Sequence, residues 1–131
     1  MGYRFEFDPV NKILLLRFAG QLTDKVYTEA YDAAQRNWAS TVAQMGIIDF
    51  SPVTEVALST EFLRQLANRE PIGDATKQPR VVVAPSDLQF GLARMFQITG
   101  ERTRPLLHVV RTLNEAFAAL GVQSPHFEPL E

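Results

Sequence analysis

The sequence predicts a single α/β domain in which a β-hairpin is followed by alternating helices and strands. Three observations support this prediction. Residues 3–8 alternate between aromatic and charged side chains, as a half-buried strand does. Later segments carry apolar residues at spacings of three and four, which is typical of amphipathic helices. Short apolar runs separate those segments and have the length of strands.

The N-terminal hairpin is predicted to extend from Tyr3 to Phe18. Residues 8–12, with the sequence DPVNK, are typical of a turn, because proline fixes φ and asparagine tolerates a left-handed conformation. Residues 13–18 form an apolar run interrupted by Arg17. We therefore expect an exposed first strand and a buried second strand.

Four helices are predicted from periodicity and capping residues. Their expected N-caps are Thr23, Ser59, Ser86 and Thr112. The third and fourth caps are followed three residues later by Gln89 and Glu115, which completes a capping box in each case. Gly121 is expected to end the last helix.

Three further strands are predicted at residues 45–50, 80–84 and 106–110, with a loop at 70–79. Strands joined by helices run parallel, so the sheet is expected to be mixed and mostly parallel. The whole chain, 1–131, is interpreted as one domain. Its core is expected to cover about residues 3–121, and residues 122–131 to form an extended C-terminal arm.

In such a fold the helix N-termini gather at one edge of the sheet. We call this edge the helix-start rim, and it comprises residues 20–23, 51–59, 84–87 and 111–112. Its free N–H groups make it the expected place for a ligand or a partner. The candidate residues are Asp49, Ser51, Thr54, Ser59, Ser86, Asp87 and Arg111. Asp49 is alternatively an organiser of its own loop that accepts backbone N–H bonds.

The composition excludes several classes of partner. Lys and Arg number 13 against 15 Asp and Glu, so the net charge of −2 gives no general attraction to nucleic acid. The chain has no cysteine, which excludes disulfides and thiolate chemistry and fits a cytoplasmic protein. No apolar run approaches the roughly 20 residues of a membrane span, so no integral membrane segment is expected.

No catalytic, metal or cofactor site is predicted. The sequence lacks G-x-S-x-G, P-loop and G-x-G-x-x-G motifs. His108 lies in a predicted strand, and no motif places a nucleophile beside it, so a structural role is favoured over general-base catalysis. We expect a protein that is not an enzyme.

A homodimer is expected from the third helix. Gly91 is costly inside a helix and usually marks close packing. The candidate interface residues are Phe90, Gly91, Arg94 and Met95. Packing within the chain is the alternative explanation of Gly91. Arg94, Arg102 and Arg104 are interpreted as a solvated face, with binding of a phosphate or an acidic partner as the alternative.

The second sheet face also needs a cover. The runs 13–16 and 81–83 are apolar at consecutive positions, which predicts strands buried on both faces. If the crossovers advance in one direction, the helices fall mainly on one face. A second subunit, an exchanged tail or a bound apolar ligand would then have to cover the other.

Three segments together resemble the SpoIIAA-like family, a bacterial branch of the STAS fold. They are the hairpin 3–18, the strand end IIDFS at 47–51, and VAPSDLQFGLARMF at 83–96. The resemblance covers roughly residues 3–121. It implies a STAS-like fold and a role like that of the anti-sigma-factor antagonists, which bind other regulatory proteins.

In those antagonists a serine within Asp-Ser-Ser-Gly, at a helix start, is phosphorylated. The matching residues here are Ala57-Leu58-Ser59-Thr60, so the phosphorylated position falls on Leu58, only Ser59 is kept, and the phospho-switch motif is degraded. A register shifted by one residue would place Ser59 on the phosphorylated position, still without the aspartate and the glycine. We therefore expect a non-catalytic protein-interaction or regulatory domain. The alternative is a module that binds a small apolar or anionic ligand, or a lipid, through an apolar cavity and the helix-start rim. The family has been likened to lipid-binding Sec14-type domains.

Overall fold

The structure is a computed structural model that describes residues 2–130. Its strands are β1 (Tyr3–Asp8), β2 (Ile13–Phe18), β3 (Gly20–Thr23), β4 (Met45–Asp49), β5 (Val53–Ala57), β6 (Arg80–Val83), β7 (Leu107–Val110) and β8 (Glu128–Pro129). Its helices are α1 (Asp24–Thr41), α2 (Thr60–Ala67), α3 (Asp87–Thr99) and α4 (Leu113–Leu120). Met1 and Glu131, which belong to the predicted domain and arm, lie outside the described residues.

Six strands form the central sheet, in the order β7-β6-β4-β2-β1-β8. The four strands from β7 to β2 run parallel, and β1 and β8 are each antiparallel to a neighbour. The predicted mixed and mostly parallel sheet is therefore confirmed. The hairpin is also confirmed, with Tyr3 opposite Phe18 and Asp8 opposite Ile13.

The first strand is half-buried, as its alternation predicts, so the expectation of an exposed first strand was wrong. Phe5 and Phe7 are buried, because α1 packs across β1 and β2. The outer edge of β1 is covered as well, since β8 pairs with it and Leu130 N donates to Phe5 O at 2.9 Å. The predicted extended arm thus ends as an edge strand of its own sheet.

The tip of the hairpin is organised by Asp8, which is completely buried. Its carboxylate accepts bonds from Val10 N at 2.9 Å, Asn11 N at 3.2 Å and Asn11 Nδ2 at 2.8 Å. His126 N, from the tail, donates to the same carboxylate at 3.2 Å. Burial raises the pKa of Asp8, but these hydrogen bonds stabilise the charged form and the net pKa is lowered.

Two strands were not predicted, and both lie in segments assigned to the helix-start rim. They are β3 and β5, which pair in parallel as a separate two-stranded sheet. Gly20, with φ of 70°, and a register shift beside it allow the chain to leave the central sheet after β2. The ladder joins segments about thirty residues apart, so no local pattern marks it.

The helices begin where the sequence predicts. Each N-cap side chain, on Thr23, Ser59, Ser86 and Thr112, accepts a bond from a backbone N–H of the first turn. Gly121 ends α4 in a left-handed conformation, with φ of 69°. Within residues 2–130, no helix combines the length and the apolar character that crossing a bilayer requires.

One sheet face carries the aromatic core beneath α1, α2 and α3. Phe18 is completely buried there. It stacks on Tyr27 with the ring centroids 5.0 Å apart, and on Phe50 at 5.4 Å. This cluster fixes the end of β2 and the end of β4 against α1.

The other sheet face is covered by α4 and the tail of the same chain. Buried residues of β2, β4 and β6 pack there against Ala116, Phe117 and Phe127. Phe117 and Phe127 stack with centroids 6.2 Å apart. The expectation that a second subunit, an exchanged tail or a ligand must supply this cover was wrong, because one helix crosses over to this face.

Candidate functional site

At the helix-start rim the structure brings the starts of α1 and α2 together. Ser59 Oγ accepts the N–H of Phe62 at 3.0 Å and so caps α2. Its own hydroxyl lies 3.4 Å from Asp24 Oδ2, and Ser59 N lies 3.4 Å from Asp24 Oδ1. Ser59 is exposed. The Asp-Ser-Ser-Gly motif has an aspartate that residues 57–60 lack, and here Asp24 of α1 places a carboxylate beside Ser59.

The starts of α3 and α4 are joined in the same way. Arg111 Nη1 donates to Asp87 Oδ1 at 2.8 Å and to Pro85 O at 3.3 Å. The Arg111 guanidinium also lies over the ring of Phe90, 4.1 Å from its centroid. Ser86 caps α3 through the predicted box with Gln89. Arg111 therefore joins two predicted residues of α3, Asp87 of the rim and Phe90 of the predicted interface, whereas Ser86 serves as the cap of α3.

Asp49 ends β4 and is 1% exposed. One of its oxygens accepts Ser51 N at 2.9 Å and Ser51 Oγ at 2.6 Å, as a loop organiser does. Its other oxygen lies 3.6 Å from Arg17 Nε, which is also 3.4 Å from a Glu6 oxygen. The sequence signal for this ion cluster was the interruption of the apolar run by Arg17. Thr54 is exposed on β5, outside these groups.

Carboxylates offset the helix N-termini along the rim. Each of the four helices carries a carboxylate in its first turn: Asp24, Glu61, Asp87 and Glu115. These side chains already complement the helix dipoles, so a further anion would meet like charge. The apolar cavity beside the rim, between Phe50 and Gln89, holds only about 40 Å³.

A larger cavity extends from the first residues of β4, β6 and β7 toward the middle of the sheet. It has a volume of about 100 Å³ and lies between the sheet, α1, α3 and the loop after α2. Trp38, Ile72 and Phe96 form apolar walls, and the side chains of Arg80 and Arg104 also line it. No local sequence pattern indicated this site, because its lining residues come from several separate segments.

The prediction of a solvated face formed by Arg94, Arg102 and Arg104 is wrong for Arg104. It is 7% exposed, whereas Arg94 and Arg102 are exposed as expected. Its guanidinium donates to Ala67 O and Arg69 O at 3.0 Å and to Leu66 O at 3.4 Å. The carbonyl groups at the end of α2 have no partners within the helix, and Arg104 supplies them.

The outer face of α3 carries an exposed apolar stripe, which we define as Leu88, Gly91, Met95 and Ile98. The exposed fractions of Leu88, Met95 and Ile98 are 59%, 36% and 60%. A β-carbon placed on Gly91 would meet no atom within 4 Å. Packing inside this chain therefore does not explain Gly91. Of the other predicted interface residues, Arg94 is exposed and Phe90 is half-buried against the core.

His108 lies exposed on the edge strand β7. Among residues 2–130, no group of three His, Cys, Asp or Glu side chains is placed to hold a metal ion.

The hairpin, the parallel strands and the helices that follow them define a STAS-like α/β fold. The chain is similar to the structure of the Bacillus cell fate determinant SpoIIAA in its phosphorylated form. The two are 16% identical with a TM-score of 0.54, over 90% of this chain and 98% of that chain. This similarity confirms the fold predicted from the residues. Neither a scan against protein-family models nor a search of curated proteins finds a match.

Proposed function

We propose that this protein is a non-catalytic protein-interaction domain with a regulatory role, and that it pairs with a second copy through α3. The single observation that carries the proposal is the exposed apolar stripe on the outer face of α3. Contiguous apolar surface rimmed by polar residues marks interaction sites on soluble proteins. The regulatory part of the proposal is supported by the similarity to a cell fate determinant.

The stripe is complementary to itself. When two α3 helices cross antiparallel, with a two-fold axis at the level of residue 93, Leu88 lies opposite Ile98 and Gly91 lies opposite Met95. The open space at Gly91 then receives the long side chain of Met95 from the second copy. A two-fold interface requires this kind of self-complementary surface.

We expect Met95→Glu to weaken self-association by at least about 10-fold, because a buried unpaired carboxylate opposes pairing. Size-exclusion chromatography with light scattering should show a dimer of the 14.7 kDa chain for the wild type and a monomer for the variant. Val10→Glu is the matched control, since Val10 is 84% exposed on the hairpin turn, far from α3 in the sequence. A wild-type monomer at micromolar concentration would contradict the proposal.

The degraded phospho-motif leads to a second prediction. Ser59→Ala should destabilise the protein by about 1 kcal/mol, the usual cost of losing an N-cap. Ser59→Asn retains a capping acceptor and should keep most of that stability. Self-association should be the same in both variants. The stabilities of the two variants are compared by thermal denaturation. Loss of protein binding by Ser59→Ala at an unchanged melting temperature would instead favour a phosphorylation switch at Ser59.

A second candidate function is a small-ligand module, which is favoured by the cavity of about 100 Å³. The predicted form of this module combined an apolar cavity with the helix-start rim. In the structure no residue of the helix-start rim lines the larger cavity, so the rim N–H groups do not take part in it. Its volume is comparable to the about 150 Å³ of an engineered cavity that binds benzene, which favours a small ligand over a long-chain lipid.

A further inference from the structure

We propose that the cavity beneath α1 binds a small apolar monocarboxylate, whose carboxylate is held by Arg80. This inference rests on the second candidate function, and it names the site and the ligand class. It is independent of pairing through the outer face of α3.

The first support for the proposal is the state of Arg80. Its side chain lies over the ring of Trp38, 4.7 Å from the centroid, at the cavity wall. One terminal nitrogen donates to Ile72 O, whereas Nε is buried and has no hydrogen-bond partner. Buried polar atoms are normally paired, so an unpaired Nε at a cavity marks a place for an acceptor.

The charge balance of the cavity points to an anionic acceptor. Arg80 and Arg104 both line the cavity, and none of its lining residues is acidic. No carboxylate lies within 4 Å of either guanidinium in the described part of the chain. Asp74 attracts Arg80 only from a distance, at an exposed loop position. Arg104 is buried and Arg80 is half-buried, and charges withdrawn from water are generally paired, so these two cations favour an anionic ligand.

The protonation of Arg80 is consistent with that role. Burial is the main cause that lowers the pKa of Arg80, to about 10. The guanidinium therefore remains charged at neutral pH and can form a charge-assisted bond to a carboxylate. Arg104 contributes positive potential, while its own N–H groups are already used by the end of α2.

The walls restrict the rest of the ligand. Trp38, Ile72 and Phe96 offer apolar contact, so an anion without an apolar body gains little from entering. The volume of about 100 Å³ admits a benzene-sized ring or a chain of about six carbons. Benzoate and hexanoate fit this description, whereas acetate and inorganic phosphate lack the apolar body.

Trp38 makes the test direct, because it is the only tryptophan of the chain and lines the cavity. Its fluorescence is followed during titration with benzoate, hexanoate, benzyl alcohol, 1-hexanol, acetate and phosphate. We expect each of the two apolar acids to bind at least about 10-fold more tightly than its alcohol, the effect of one charge-assisted bond. Acetate and phosphate should bind at least about 10-fold more weakly than benzoate.

Two variants and one control assign the binding to the cavity. Arg80→Gln should bring acids and alcohols to equal affinity, and Arg36→Gln, which removes an exposed charge of α1, should change nothing. Ala34→Leu fills the cavity from α1 and should abolish binding of both acids and alcohols. Circular dichroism establishes that each variant is folded. If Arg80→Gln does not fold, Arg80→Lys serves instead and should reduce the preference for acids.

The outcomes separate this inference from the function on which it rests. If neither acids nor alcohols bind, the small-ligand function and the carboxylate assignment both fail. If acids and alcohols bind equally to the wild type, cavity binding stands and the carboxylate assignment is overturned. Tight binding of phosphate or acetate, or an unchanged preference in Arg80→Gln, overturns it as well.

Discussion

Replacing Arg104 with methionine is expected to lower the free energy of unfolding by about 3 kcal/mol. The guanidinium is buried and donates to carbonyl groups at and just beyond the end of α2. Methionine fills similar volume against Phe96 but donates nothing, so those carbonyls lose their partners in a place that water reaches poorly. The loss is measured by urea denaturation.

The control for this experiment is Arg102→Met, two residues away. Arg102 is exposed, so its replacement should change stability by no more than about 0.5 kcal/mol. Equal stability of the two variants would mean that the contacts of Arg104 with α2 contribute nothing. Three arginines that are close in sequence therefore differ in the fold, because Arg104 is buried whereas Arg94 and Arg102 are exposed.

Asp8→Ala is expected to lower the free energy of unfolding by about 3 kcal/mol at pH 7. The carboxylate accepts bonds from the hairpin turn and from the tail, and it is completely buried. Its removal leaves several N–H groups without an acceptor. It also removes one of the bonds that hold the tail, which helps α4 to cover the second face of the sheet.

The effect of Asp8 should depend on pH in a defined direction. The pKa of Asp8 is lowered below its usual value of 3.8, so the unfolded chain binds a proton at higher pH than the folded protein does. The difference in stability between wild type and Asp8→Ala is therefore fully present above about pH 5. It should shrink as the pH falls below about 4, toward the folded-state pKa.

Asp74→Ala is the matched control for this experiment. Asp74 also organises a turn, through Thr76 N at 3.0 Å and Thr76 Oγ1 at 2.6 Å, but it is exposed. Water replaces those bonds when the carboxylate is removed, so the change in stability should be much smaller than for Asp8. A difference between wild type and Asp8→Ala that stays constant down to pH 2 would contradict this account.

The candidate sites differ in how far the residues alone predicted them. Ser59 and Ser86 were recognisable, because a capping residue and the N–H that it accepts lie within four positions. The contact between Ser59 and Asp24, and that between Arg111 and Asp87, join residues more than twenty positions apart. No periodicity encodes such pairs, although parallel topology correctly indicated that helix starts lie along one edge.

The cavity was also not predictable from the sequence, because its residues are distant in the chain. Trp38 was predicted only as an apolar position of a helix and Arg80 only as part of a strand, so neither was assigned to a site. Their contact depends on Gly46 between them, where a β-carbon would lie 3.0 Å from the Trp38 ring. The parallel pairing of β4 and β6 places Gly46 beside Arg80.

The sequence by itself determined the class of the fold, the hairpin, the positions of the four helices and their caps. These features follow from interactions between residues close in the chain, which periodicity and capping chemistry report directly. Only the tertiary structure decided the pairing of β3 with β5 and the burial of Arg104. It also decided that α4 and the tail cover the second sheet face, and that two arginines line an apolar cavity. Those features depend on contacts between distant segments, whose geometry is set when the sheet and helices pack together.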